Sequence, residues 1–194
     1  MKVGKTIYVT NRTEWRSWLS KHHRTAKDIW LVYYKKTSDK KRIPYNDAVE
    51  EALCYGWIDS ISKPRNRTSW VQRFSPRRRN SALSEMNKER IRRLIKAKRM
   101  TRSGLESIEH HMDGSRAGIR DGSTIKKFSM PRDLLKALQA DPVVWKNFQR
   151  FSATYQQIRL GWIDASRHRP EIFKVRLGYF LRMTAKNKKF GMVQ

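Results

Sequence analysis

A single cysteine, Cys54, stands among 194 residues, so no intrachain disulfide can form. A lone thiol suits a reducing compartment, and the cytoplasm is the expected location. Long apolar runs are missing too. The longest, Ile29-Trp30-Leu31-Val32-Tyr33-Tyr34, falls far short of the roughly 20 residues of a membrane helix. The opening segment, Met1 to Thr10, has neither the apolar stretch nor the small-residue cleavage site of a secretory signal. Acids are scarce, with 17 Asp and Glu against 44 Lys and Arg, a formal charge of +27. No glycine-rich phosphate loop, nucleophile elbow or dinucleotide fingerprint occurs. The five histidines fall as His22-His23, His110-His111 and His168, and adjacent pairs do not give metal-ligand spacing. His110 with Glu106 and Asp113 comes nearest, and reads better as solvated pairing on a helix surface. No metal and no cofactor are expected.

What the chain does have is aromatic: 11% Phe, Trp and Tyr, with seven Trp, enough to build a core. Thr6 to Thr10 is β-branched and reads as a strand. Asn11 with Glu14 is a capping pair that opens a helix carrying Trp15, Trp18, Leu19 and His22 on one face. Asp28 to Lys35 reads as a second strand, followed by a polar loop to Pro44. Tyr45, Ala48, Val49, Ala52 and Leu53 then form one apolar stripe that Gly56 ends. Trp57 to Ser62 reads as a third strand, Pro64 to Arg67 as a turn, and Ser69 to Phe74 as a fourth strand. Ser84 caps a helix to about Arg99. After Pro131 the spacing is helical throughout, with Ser152 as a cap. The fold class expected is α+β: an antiparallel or mixed sheet with helices over residues 1–113, a Gly- and Ser-rich linker over 114–130, and a helical module with a basic tail over 131–194. Gly56-Trp57-Ile58-Asp59 recurs as Gly161-Trp162-Ile163-Asp164. The first copy enters a strand and the second continues a helix, so the echo reads as coincidence rather than duplication.

The positive charge is concentrated. From Lys63 to Arg102 there are fifteen Lys or Arg against two acids, a net +13. Trp70, Phe74 and hydroxyl side chains interleave with these cations, the composition that binds phosphates and stacks on bases. Arg78, Arg79, Lys88, Arg92, Lys96 and Arg99 are the candidate polyanion-binding residues. The competing reading is a solubilising basic surface, and no zinc finger, zipper or aromatic RNA-binding signature accompanies the charge.

Catalytic readings are thinner. Cys54 ends an amphipathic helix with no histidine near it in sequence, which favours a core role over a nucleophile. Glu50 and Glu51 point away from the apolar stripe and read as a solvated face. Asp59 is the acid to examine first, and an ion pair with Arg73 or Arg77 would make it structural.

The blocks Ile29 to Lys36, Tyr45 to Ser60 and Arg73-Phe74-Ser75-Pro76-Arg77, with Ser84 to Lys88 and Pro131 to Leu134, together resemble the YdeI/OmpD-associated family. Its members carry bacteriocin-protection or outer-membrane-protein-associated labels. The resemblance implies no established reaction, cofactor or catalytic set. It marks Trp57, Asp59, Trp70, Arg73, Phe74, Arg77, Ser84 and Asn87 as a candidate motif site. Leu83, Phe173 and Val175 depart from the family pattern, and only Lys174 and Arg176 keep the last helix basic. The expectation is a non-catalytic protein that binds nucleic acid or another polyanion. The alternatives are a stress or bacteriocin-protection factor acting by protein contact, and an enzyme acting on an anionic small molecule.

Overall fold

The computed structural model describes residues 2–79, 81–112, 125 and 128–191. It is α+β, with a four-stranded sheet in the first part and helices alone in the last. Strand β1 (Thr6–Ile7) runs parallel to β2 (Ile29–Tyr34); β2, β4 (Ser69–Pro76) and β3 (Trp57–Asn66) pair antiparallel, in the order β1-β2-β4-β3. Helices α1 (Arg12–His22), α2 (Tyr45–Cys54), α3 (Glu85–Lys96) and α4 (Arg102–Glu106) accompany the sheet in sequence. Helices α5 (Arg132–Gln139), α6 (Pro142–Arg150), α7 (Ala153–Asp164) and α8 (Pro170–Ala185) follow. The chain forms two compact units: residues 1–81 with 90–125, and residues 82–89 with 126–194. The expected linker, 114–130, lies outside the described residues except for 125 and 128–130.

In the first unit, the Asn11 side chain accepts from the Glu14 N–H, and the Glu14 carboxylate accepts in turn from the Thr10 N–H at 2.8 Å, so the start of α1 is fixed from both sides. Trp15 is fully buried against Phe74 and donates its indole N–H to Ala48 O at 3.0 Å, which ties α1 to α2. Strand β2 is buried on both faces, as its unbroken apolar run requires. Trp30 and Val32 cluster with Val71 on one of them.

The turn after β3 is displaced from its expected place. Pro64 lies within β3 rather than in the turn, because β3 is an edge strand whose outer side needs no ladder N–H. Asn66 makes the turn instead: its side-chain oxygen accepts from the Thr68 N–H at 3.0 Å and the Ser69 hydroxyl at 2.8 Å. Gly56 has φ +75° and ends α2 as its position after the apolar stripe suggests. Gly104 has a different reason to be glycine, since a Cβ there would run into the Cys54 carbonyl. Thr101 caps α4 and also donates both N–H and hydroxyl to that carbonyl, at 3.0 and 2.6 Å.

In the second unit, α5 to α8 enclose Leu134, Leu138, Val144, Phe148, Tyr155, Ile163 and Phe180. Asp141 and Ser152 cap α6 and α7. Gly161 and Trp162 sit within α7, so the second Gly-Trp-Ile-Asp copy is helical where the first opens β3. Gly161 leaves room for the side chain of Glu85, and Met86 packs on the same core. No helix among the described residues is long and apolar enough to cross a membrane.

Candidate functional site

The motif residues mostly face inward. Trp57 is buried, donates its indole N–H to His23 O at 3.0 Å and packs edge-on to Trp18. Phe74 has no exposed surface. Trp70 stacks on Tyr33 with ring centroids 4.4 Å apart. Asp59 does not pair with Arg73 or Arg77. It accepts from the Tyr45 hydroxyl at 2.5 Å, and burial together with that bond raises the tyrosine's pKa well above its ordinary value. Arg73 pairs with Asp28, the residue just before β2, through Nε at 3.0 Å and Nη2 at 2.8 Å. Arg77 donates to Ser81 O at 2.9 Å, and burial lowers its pKa. Ser84 accepts from the Asn87 N–H at 3.3 Å; both belong to the second unit. Of the set, Trp57 and Arg77 share one cleft of about 450 Å³, with Arg79, His23, Ser103 and Glu109 among its walls.

The expected polyanion-binding residues divide. Arg78, Arg79 and Lys96 are exposed. Lys88 is half-buried and pairs with Glu85 at 2.5 Å. Arg92 donates to Ile125 O at 3.4 Å, and Arg99 is held by the carboxylate of Glu51. Helix α3 thus presents fewer outward cations than its sequence suggests. His111 bonds Ser81 O at 3.0 Å; Asp113 lies outside the described residues.

Glu51 overturns the solvated reading of α2's acidic face. Its side chain has no exposed surface, and it accepts from Arg12 at 3.0 Å, from Arg16 at 2.8 Å and from Arg99. Glu50 takes Arg12 and Arg93, the latter at 3.1 Å. Burial is the largest single influence and works against the charge on Arg12 and Arg16, but the hydrogen bonds to Glu50 and Glu51 together with the attraction of the neighbouring acidic groups more than offset it, and both guanidiniums sit above their ordinary pKa. The sequence signal for this cluster is the pairing of Arg12 and Arg16 on one face of α1, one turn apart.

A second cationic feature lies at the end of the sheet. Tyr34 pairs in register with Ser69, and the Lys35 N–H donates to Thr68 O at 2.8 Å, so the exit of β2 lies beside the β3–β4 turn. Lys35, Lys36, Lys40, Lys41, Arg65 and Arg67 are all exposed there, with Asp39 the acid among them. The Lys40 ammonium stands 4.9 Å from the centre of the Tyr34 ring.

Comparison with known proteins gives two consecutive matches along the chain. No curated protein and no solved structure matches it. Residues 127–187, the helical part, match the family described as Bacteriocin-protection, YdeI or OmpD-Associated, so the YdeI/OmpD-associated likeness is shown there. The motif blocks from Ile29 to Arg77 fall instead within residues 7–107, which match a Domain of unknown function (DUF8412). That second match spans more than half of the chain, and the chain therefore belongs to the DUF8412 family, with a YdeI/OmpD-associated domain after it.

Proposed function

We propose that this protein binds nucleic acid without catalysis, through the exposed cations at the sheet end; Arg78 and Arg79, which follow the opposite end of β4, and Lys96 are further exposed cations. The observation that carries this reading is the imbalance at the β2 exit and the β3–β4 turn: six exposed cations beside a single acid. The acids elsewhere in the first unit are largely engaged by the fold itself, Asp28 with Arg73, Glu51 with three arginines and Glu14 with the start of α1. The outward surplus is therefore positive and multiply spaced, which suits a row of phosphates. The same reading places the protein in the cytoplasm, the compartment that a single thiol suits.

Mobility shifts with mixed DNA and RNA, read against salt, test the proposal. Binding at about 50 mM salt is expected, with log affinity falling by about 0.9 per engaged phosphate for each unit of log salt on duplex DNA. Replacing Lys40, Lys41, Arg65 and Arg67 together by Ala should flatten that slope by about 3 to 4. No binding at low salt, or a slope unchanged in the variant, would sink the reading.

A further inference from the structure

The cleft on the outer side of α1 is untouched by the nucleic-acid reading. It measures about 360 Å³ and is lined by Arg12, Thr13, Arg16, Ser17 and Ser20 of α1 with Tyr55 and Arg99. That volume is at the small end of ligand sites, roughly 300–1,000 Å³. Among the described residues three guanidiniums line it and no acid does. The acids that hold these arginines lie behind them: the side chain of Glu51 is 0% exposed and that of Glu50 14%, while those of Arg12, Arg16 and Arg99 are 31%, 35% and 36% exposed. Seen from solvent, the cleft is cationic. Seen from the core, the same side chains are neutralised.

The donors are also partly uncommitted. Arg12 directs all three nitrogens at Asp47, Glu50 and Glu51. Arg16 gives one terminal nitrogen to Glu51 and the other to Arg99 O at 3.1 Å, and lies over the Tyr55 ring, 5.3 Å from its centre. Among the described residues Arg99 bonds Glu51 through Nη2, and its Nε and Nη1 have no bonded partner there. Ser20 donates its proton to Ser17 O at 2.8 Å, whereas the Thr13 and Ser17 hydroxyls make no hydrogen bond among the described residues. Positions 13 and 17 lie one turn apart on α1, as do 12 and 16, so the two hydroxyls and two arginines run along adjacent lines of the helix.

We infer that this cleft is a binding site for a compact phosphorylated small molecule, its phosphate seated between Arg16 and Arg99 with the Thr13 and Ser17 hydroxyls as further donors. A tetrahedral dianion fits such a set better than a carboxylate does, because it accepts from several directions at once and pairs with a guanidinium edge bidentately. Glu51 acts as the positioning residue: it holds the arginines in place before any ligand arrives, which lowers the ordering cost of binding.

Thermal unfolding of the full chain tests the site, with inorganic phosphate, acetate and chloride compared at matched ionic strength. At about ten times its dissociation constant, phosphate should raise the Tm by about 3 to 5 °C beyond chloride, and acetate should not. Ser17→Asp places a carboxylate in the cleft at an exposed helix position. It should raise the Tm of the ligand-free protein and remove the phosphate effect. Equal stabilisation by phosphate and chloride, or an undiminished phosphate effect in Ser17→Asp, would overturn the site. Retained mobility shifts in Ser17→Asp keep the outcome separate from that of the sheet-end surface.

Discussion

Glu51 has no exposed surface, yet its charge is met by three guanidiniums drawn from α1 and from the segment after α3. Removing that charge leaves the arginines facing one another, and breaking a buried pair costs about 3–5 kcal/mol. Because the arginines are about one-third exposed, Glu51→Gln should fall at the lower end, about 3 kcal/mol, read from urea unfolding. Cys54, three residues on, carries a pH prediction. Burial pushes its thiol up to about 11. The unfolded chain loses that proton near pH 8.5 while the native chain keeps it. Stability is therefore full below that pH and declines toward the folded value, by on the order of 1.4 kcal/mol per pH unit. Denaturant titrations at rising alkaline pH measure the slope, and Cys54→Ala should flatten it. Burial also raises Tyr33 and Tyr45, so a slope of the same sign persists in more alkaline solution.

Elements are where local sequence speaks most clearly. The Asn11 and Glu14 pair, the apolar stripe of α2 and the strand β2 were all legible, because each depends on residues within one or two turns or strands. The turn after β3 was misplaced because proline is a turn signal only when the strand cannot be an edge, and edge position is a property of the sheet. The burial of Glu51 escaped for a related reason. Periodicity shows which residues share a face, but not that Arg12, Arg16 and Arg99 come back to cover it. Gly104 is another such case: its closeness to the Cys54 carbonyl is a tertiary fact. Gly104→Ala should cost about 1–3 kcal/mol as an overpacked contact. Faster hydrogen exchange at the Thr101 amide, which bonds that carbonyl, should accompany it.

At the scale of the whole molecule, a formal charge of +27 repels itself in the compact state. Added salt shortens the reach of that repulsion to about 10 Å at 0.1 M. Thermal scans between about 50 and 500 mM sodium chloride should therefore show a Tm that rises by several degrees, and a falling Tm would mean that the ion pairs around Glu51 outweigh the surface repulsion. The way the chain is routed has a practical consequence for any such experiment. It passes from the first unit to the second at residue 82, returns at residue 90 and leaves again at residue 126. A single cut cannot free either half. A fragment beginning at Pro131 would lack Glu85 and Met86, which pack against α7 and the helical core, and one ending at Met112 would carry both as exposed remnants. Proteolysis at one site should thus yield nicked but still associated pieces, and residues 82–89, which fall inside the first family match, belong to the same compact unit as the second.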